Sequence, residues 1–157
     1  MRPLVVGVIK ETTPGERRVS LAPSQVGDLC QAGYEVVVAA GAGAEAFFAD
    51  DDYAKAGARV VSGPNLCAEA DLITTVARPP TAVIEQMRPG QILVGMLALL
   101  ADPGYVRLLA SRGLTAISFD GLPRTLSRAQ TRRFVFRSSQ SRTSSIRTSG
   151  SRGTSRT

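Results

Sequence analysis

Short apolar runs alternate with helical patterns through the first 130 residues of this chain, and this alternation limits the fold more than any other feature. The first run, residues 4–9, is almost entirely apolar, which is typical of a strand covered by helices on both faces. Pro23 then suits the first position of a helix, and Val26 and Leu29 share one face of it. Because strands that alternate with helices form parallel sheets, the pattern predicts an α/β fold with helices flanking the sheet.

Turn and capping residues divide the rest of this region into elements. Asp50, Thr81 and Asp102 stand where helices are expected to begin, since carboxylates and hydroxyls stabilise helix N-termini. Gly57 and Gly113 are expected to end two of these helices. Further strands, which bring the total to about six, are predicted at residues 34–39, 59–61, 71–76, 92–96 and 114–119.

The composition changes abruptly at about residue 131. Residues 1–130 hold 12 Lys and Arg against 13 Asp and Glu, whereas residues 131–157 hold seven Arg and no acid. Arg, Ser and Thr supply 20 of the last 27 residues, so this segment cannot bury enough apolar surface to offset the entropy lost on ordering. We therefore divide the chain into a folded domain, residues 1–130, and a disordered Arg/Ser-rich tail, residues 131–157.

The cysteines and the apolar runs argue against metal and membrane chemistry. Cys30 and Cys67 match no metal-ligand spacing, and the chain contains no His that could join them. We interpret both as reduced thiols of a cytosolic protein and expect no metal site. The apolar runs are far shorter than a membrane span, and residues 4–9 are too short for the hydrophobic part of a signal peptide.

The loop after the first strand carries the first candidate binding residue. Ligands bind at the carboxyl ends of the strands in open α/β sheets, so Arg18 is predicted to bind an anionic group. A salt bridge from Arg18 to Glu11 or Glu16 is the alternative. The Gly41-x-Gly43 turn imitates a dinucleotide fingerprint, but it does not open a helix as a genuine one does, and we expect no phosphate site there.

Several short motifs occur in a fixed order over residues 3–130. The motifs are Gly7-x-x-x-Glu11, Glu16-Arg17-Arg18-Val19, Ala32-Gly33-Tyr34-Glu35-Val36-Val37-Val38, Gly41-Ala42-Gly43-Ala44, Tyr53-x-x-Ala56-Gly57-Ala58, Arg88-Pro89-Gly90-Gln91, Ala101-Asp102-Pro103 and Pro123-Arg124-Thr125-Leu126-Ser127-Arg128-Ala129-Gln130. Each is weakly specific alone, but together they closely resemble the N-terminal domain shared by alanine dehydrogenases and the alpha subunit of proton-translocating NAD(P) transhydrogenase. The resemblance implies a Rossmann-like (flavodoxin-like) parallel sheet with flanking helices.

The two branches of this family differ in the proton chemistry that they require. Alanine dehydrogenases form and hydrolyse an imine, which needs a general acid or base, and in that branch an Arg, a Lys and a His do this work. Here Arg18 matches the Arg, but Thr75 stands at the Lys position and Ala98 at the His position. Hydride transfer between two nicotinamides needs alignment and no catalytic side chain. The resemblance therefore implies the transhydrogenase alpha subunit, with an alanine dehydrogenase-like oxidoreductase fragment as the alternative.

The last motif implies contacts with a cofactor. In transhydrogenase alpha subunits the segment Pro-Arg-x-Ser-Arg-Ala-Gln belongs to a loop near the nicotinamide end of bound NAD(H), which assigns cofactor binding to Arg124 and Gln130. Here Thr125 and Leu126 stand where the family usually has one residue, and the Asp and Ser expected after Gln130 are absent. An ordinary polar connection leaving the domain is the alternative.

The resemblance also implies cofactors, partners and a location for the complete enzyme. Such an enzyme passes hydride from NADH to NADP⁺ and uses both NAD(H) and NADP(H). We expect a homodimer that assembles with membrane and NADP-binding subunits, in the cytoplasm at the inner face of the cytoplasmic membrane. The NAD fingerprint of the family lies beyond the matching residues, so we expect this chain alone to bind neither cofactor tightly and to be inactive.

The Arg/Ser-rich tail begins where the family has a helix that crosses into the NAD domain. We therefore expect the tail to be out-of-frame translation or an aberrant terminus. A non-catalytic fragment with a basic tail that binds nucleic acid is the alternative, since dense Arg attracts phosphate backbones. Interleaved aromatic residues are missing after Phe136, so we expect no specific nucleic-acid partner.

Overall fold

The computed structural model describes residues 2–121 and the backbone of a short strand at residues 135–137. The strands are β1 (Val5–Val8), β2 (Glu35–Ala39), β3 (Arg59–Val61), β4 (Leu72–Thr74), β5 (Ile92–Gly95), β6 (Thr115–Ser118) and β7 (Val135–Arg137). The helices are α1 (Pro23–Gln31), α2 (Asp50–Lys55), α3 (Gly63–Glu69), α4 (Thr81–Gln86) and α5 (Pro103–Ser111), with a 3₁₀ turn at Ala44–Ala46.

These strands form one sheet in the order β3-β2-β1-β4-β5-β6-β7. The first six are parallel to one another, and β7 is antiparallel to β6. The order 3-2-1-4-5-6 is that of the Rossmann fold, so the predicted α/β fold class is confirmed. Strand β7 lies inside the segment for which the sequence predicts disorder; residues 131–134 and 138–157 lie outside the described part of the chain.

The core lies between the sheet and the helices on its faces. Strand side chains such as Val8, Val37 and Ile73 are completely buried, and Val26 of α1 and Leu66 of α3 are completely buried as well. Complete burial of strand residues explains why the strand sequences are apolar without the alternation seen in half-exposed sheets.

Close packing at Gly7 brings β1 against α3. A Cβ atom at Gly7 would lie 2.9 Å from both Ala70 Cβ and Leu66 Cδ2, closer than carbon atoms approach in folded proteins. The glycine of the Gly7-x-x-x-Glu11 motif is therefore required by packing.

Helix α3 is the one helix of the described region that the sequence does not predict. Its first residues, Gly63, Pro64 and Asn65, are typical of a turn, and only two of its seven residues, Leu66 and Cys67, are buried. Cys67 is a free thiol, and burial raises its pKa. Two adjacent buried residues are too few to produce a helical period in the sequence.

The helices begin at or next to the residues expected from the sequence, but their capping contacts are not all as expected. Asp102 Oδ1 accepts a hydrogen bond from Tyr105 N at 3.0 Å, which is the capping contact expected for α5. Thr81 is instead the first residue of α4, which has no side-chain capping bond. Within the described residues, no helix is long and apolar enough to cross a membrane.

Candidate functional site

Strand order reverses between β1 and β4, and such a reversal opens a crevice at the carboxyl ends of the two strands. Ligands of open α/β sheets bind in this crevice. Three loops border it here: residues 9–22 after β1, residues 75–80 after β4 and residues 96–102 after β5. We call these three loops together the switch-point site.

The carboxylate of Glu11 joins the first two loops. Its oxygens accept hydrogen bonds from Thr75 Oγ1 at 3.0 Å, Val76 N at 2.6 Å and Ala77 N at 3.2 Å. Bonds from backbone N–H groups to a carboxylate are charge-assisted and strong. Glu11 therefore acts as a clamp that holds the end of β4 against the loop that follows β1.

Arg18, the predicted anion-binding residue, lies in the first loop and pairs with Glu16. Its Nε and Nη2 donate to the two oxygens of Glu16 at 2.8 and 2.7 Å, and its backbone N donates to Oε1 at 2.9 Å. The Arg18 side chain is 67% exposed, whereas that of Glu16 is 12% exposed. The alternative salt bridge to Glu16 is thus present, and the guanidinium still faces solvent.

Electrostatics in this loop follow from the pair. Hydrogen bonds from the Arg18 side chain and backbone lower the pKa of Glu16 to about 2. The side-chain bonds to Glu16 and the charge of Glu16 raise the pKa of Arg18, and the charge of Glu11 adds to the effect. Both members of the pair are therefore charged at neutral pH, and Glu11 lies within electrostatic range of Arg18.

Thr75, at the Lys position of the family resemblance, is buried at the end of β4. Only 5% of it is exposed, and its hydroxyl lies 2.6 Å from Ala77 O as well as 3.0 Å from Glu11 Oε1. A Cβ atom at Gly95 of β5 would lie 2.5 Å from Thr75 Cγ2, so β5 needs a glycine beside it. The hydroxyl proton of Thr75 is engaged within the protein and is not offered to a ligand.

Ala98, at the His position, follows β5 in a left-handed backbone conformation with φ of 48°. Asp120 holds this turn, since its carboxylate accepts hydrogen bonds from Leu97 N at 3.0 Å, from Ala98 N and from Ser118 Oγ. Although burial acts to raise the pKa of Asp120, these hydrogen bonds lower it. Thr75 and Ala98 thus follow β4 and β5, and Arg18 lies in the loop that follows β1.

A groove of about 560 Å³ is lined mostly by residues of the switch-point site. Its walls include Thr12 and Thr13 after β1, Arg78 and Thr81 after β4, and Tyr105 of α5. Its volume lies within the range of small-molecule sites. The groove extends the crevice toward the N-terminus of α5.

Arg78 is the main charged group of this groove. It forms an ion pair with Asp102 at 2.8 Å and lies over the ring of Tyr105, 4.8 Å from the ring centroid. The Tyr105 hydroxyl donates to Pro79 O at 3.2 Å, and burial raises the pKa of Tyr105 to about 12. The side chains of Arg78, Asp102 and Tyr105 are not among the predicted site residues. The sequence signal that could have indicated Arg78 is the Arg78-Pro79-Pro80 segment, which follows the strand predicted at residues 71–76.

The other candidate positions have different outcomes. Arg124 and Gln130 lie outside the described residues, so their assignment stays a prediction. In the glycine turn, Gly41 N donates to the Asp50 carboxylate at 2.9 and 3.1 Å, and a Cβ at Gly43 would lie 2.7 Å from the Tyr53 ring. The left-handed backbone of Gly41, with φ of 70°, and the packing at Gly43 therefore explain both glycines. No cluster of metal-ligating side chains occurs within the described part of the chain.

The known proteins that are similar to this chain come from one family. The family model of the alanine dehydrogenase/PNT N-terminal domain matches residues 7–142. Alanine dehydrogenase of Bacillus subtilis (strain 168) is 32% identical over 117 residues, which are 74% of this chain and 31% of the relative. NAD(P) transhydrogenase subunit alpha of Cereibacter sphaeroides is 34% identical over 126 residues, which are 80% of this chain and 24% of the relative.

A solved structure of a relative is similar to this chain as well. The transhydrogenase from Sinorhizobium meliloti superimposes with a TM-score of 0.75 at 34% identity, over 80% of this chain and 37% of the other. The chain thus spans less than two fifths of the length of each of these relatives.

Proposed function

Because this chain belongs to the family of the alanine dehydrogenase/PNT N-terminal domain, we propose that it functions as the first domain of a NAD(P) transhydrogenase alpha subunit. The complete enzyme would pass hydride from NADH to NADP⁺. Overall identity does not separate the two branches, since relatives of both kinds are almost equally similar to this chain. The observation that carries the proposal is that Thr75 and Ala98 supply no proton-transfer group to the switch-point site.

Amino-acid deamination needs a side chain that takes and returns a proton near the reacting carbon. Thr75 keeps its hydroxyl proton at neutral pH and spends it on acceptors within the protein, and Ala98 carries only a methyl group. Glu11 contacts Thr75, but its oxygens already accept three hydrogen bonds. Hydride transfer between two coenzymes makes no such demand, because it requires alignment of two rings and exclusion of water.

Three residues are proposed to bind ligand in this function. Arg18 binds an anionic group at the switch-point site, where its exposed guanidinium supports that role. Arg124 and Gln130 contact the nicotinamide end of NAD(H), an assignment that rests on the family motif alone. No residue of the chain is proposed to act as a catalytic acid or base.

Cofactors and partners follow from the same proposal. NAD(H) and NADP(H) serve the complete enzyme, and neither binds tightly to residues 1–130, which form the domain. The complete protein is a homodimer joined to membrane and NADP-binding subunits at the cytoplasmic face of the membrane. Residues 131–157 are proposed to take no part in these contacts.

Calorimetry and a hybrid protein test the proposal together. Titration of the purified chain with NADH should show little affinity, and tight binding without a partner would overturn the expectation that the chain alone binds neither cofactor tightly. A Cereibacter sphaeroides alpha subunit in which residues 7–121 of this chain replace the matching segment should still transfer hydride from NADH to NADP⁺ with its partner subunits. A folded hybrid that binds both cofactors but transfers no hydride would contradict the proposed function.

An alanine dehydrogenase-like function is the second candidate, and Arg18 is the observation that favours it. A guanidinium at this position suits the carboxylate of an amino acid. Measurable NAD-dependent amination of pyruvate by the purified chain would establish this alternative, because the transhydrogenase proposal predicts none.

A further inference from the structure

We propose that Glu16 is a positioning residue, which holds Arg18 by one edge of its guanidinium and turns a second edge toward a ligand. The ligand is an anionic group that offers two oxygens, such as a carboxylate or a phosphate. This inference rests on the proposed role of Arg18 in binding an anion, and it adds the residue that makes Arg18 ready to bind.

The guanidinium group is planar and has two edges that can each donate a pair of hydrogen bonds. An Arg side chain can pair with a carboxylate along the edge formed by Nε and Nη2 or along the edge formed by Nη1 and Nη2. Glu16 occupies the first edge of Arg18, with bonds of 2.8 and 2.7 Å. Within the part of the chain that the structure describes, no hydrogen bond reaches Nη1, so the second edge stays available.

The exposed fractions of the two side chains show that Glu16 is held in the loop and that Arg18 extends into solvent. The Glu16 side chain is 12% exposed and also accepts the backbone N–H of Arg18, so it is anchored in the loop. A hydrogen bond of 3.0 Å from Glu16 N to Thr13 O closes the turn beneath it. Arg18 is 67% exposed and extends outward from this base. The pair therefore differs from a surface ion pair in which both side chains move freely.

The second carboxylate of the loop does not compete for Arg18. Glu11 raises the pKa of Arg18 through its charge, but its oxygens accept hydrogen bonds from the end of β4. One loop thus carries two carboxylates with separate tasks. Glu11 holds the neighbouring strand, and Glu16 holds the arginine.

Holding the arginine in advance favours binding because an unrestrained Arg must lose its rotamer freedom when a ligand arrives. Two variants of Glu16 isolate this effect. Glu16→Gln and Glu16→Ala remove the same charge, so they change the attraction for an anion equally. Gln keeps an oxygen that can accept from Nε and from the backbone N–H of Arg18 and loses only the acceptor for Nη2, whereas Ala keeps no acceptor.

The experiment is a titration of the full chain and its variants with sodium acetate, inorganic phosphate and sodium chloride, followed by the amide NMR signals of residues 12–20. We expect acetate or phosphate to bind Glu16→Ala about three- to tenfold more weakly than Glu16→Gln, which corresponds to about 0.6–1.4 kcal/mol. Acetate and phosphate in separate arms show which kind of anion the edge prefers. Chloride, a single atom, cannot use both donors, so its affinity should be almost equal in the two variants.

Two further variants keep the outcomes distinct. Arg17→Lys replaces the neighbouring guanidinium, which lies over Phe47, by another cation and should bind the anions as the parent does. Equal affinity of Glu16→Gln and Glu16→Ala for every anion, or an equal loss that includes chloride, would overturn the positioning role. If Arg18→Ala binds acetate and phosphate as well as the parent does, the proposed anion site itself is wrong and the positioning role fails with it.

Discussion

Replacement of Glu11 by Gln tests the clamp between the loop after β1 and the end of β4. The Glu11 carboxylate accepts three hydrogen bonds, from Thr75 Oγ1, Val76 N and Ala77 N. A glutamine of the same shape keeps one oxygen, and its NH₂ group would face a donor that it cannot accept from. Hydrogen bonds to a charged group contribute about 1.5–3 kcal/mol each. We therefore expect Glu11→Gln to lower the free energy of unfolding by about 1.5–3 kcal/mol.

Urea denaturation followed by circular dichroism measures this change, and the dependence of the free energy on urea should stay the same because the unfolded surface is unchanged. Glu85→Gln is the matched control, since Glu85 is exposed on α4 and should change stability by no more than about 0.5 kcal/mol. If Glu11→Gln costs no more than Glu85→Gln, the clamp does not hold the two loops and the reasoning is refuted.

Three further predictions concern the pair in the loop, the contact between β1 and α3, and a buried amide. The pKa of Glu16 is about 2 instead of 4.5, so the stabilisation from its pair with Arg18 is complete above about pH 4.5 and is lost as the pH falls toward 2. Arg18→Ala should raise the NMR titration midpoint of Glu16 but leave it below 4.5, because the backbone N–H of residue 18 still donates to the carboxylate. Gly7→Ala forces a methyl group against Leu66 and should cost about 1–3 kcal/mol in urea denaturation. Gln91→Leu removes a buried amide that donates to two backbone carbonyl groups and should cost about 1–3 kcal/mol for each acceptor left without a partner, measured in the same way.

Each of these predictions has a control or a contradicting result. Gly63→Ala, where a Cβ meets nothing within 4 Å, should leave stability almost unchanged, and an equal loss at Gly7 and Gly63 would contradict the packing argument. Gln86→Leu is the exposed counterpart of Gln91→Leu, and equal stability of the two variants would show that the buried bonds are unimportant. An unchanged midpoint for Glu16 in Arg18→Ala would mean that another group lowers its pKa.

Sequence periodicity predicts the six parallel strands because both faces of this sheet are covered, which leaves short apolar runs that polar turns separate. It does not predict α3, which buries only Leu66 and Cys67 and begins with residues typical of a turn. Strand β7 is also unexpected, since Val135–Arg137 lies in a segment whose composition lacks the apolar residues of a core. Local composition thus predicts well which strands are buried, but it predicts poorly which segments pair at the edge of a sheet.

The candidate site is likewise predicted from the sequence only in part. The position of Arg18 follows from its place after an apolar strand, but its bidentate pair with Glu16 depends on a loop conformation that sequence spacing leaves open. Two contacts were not predicted, the Arg78–Asp102 pair and the Arg78–Tyr105 stacking, because they join residues 24 and 27 positions apart in the sequence. Such contacts are set by how β4 and β5 place their loops side by side.

The central claim is that Thr75 and Ala98 leave this domain without the proton-transfer groups of amino-acid deamination. The most direct measurement is pyruvate amination by a hybrid of Bacillus subtilis alanine dehydrogenase in which residues 7–121 of this chain replace the matching segment. We predict a folded, NADH-binding hybrid with no amination, and recovery of measurable amination when Thr75→Lys and Ala98→His are introduced together. Amination by the hybrid before those two changes would contradict the claim.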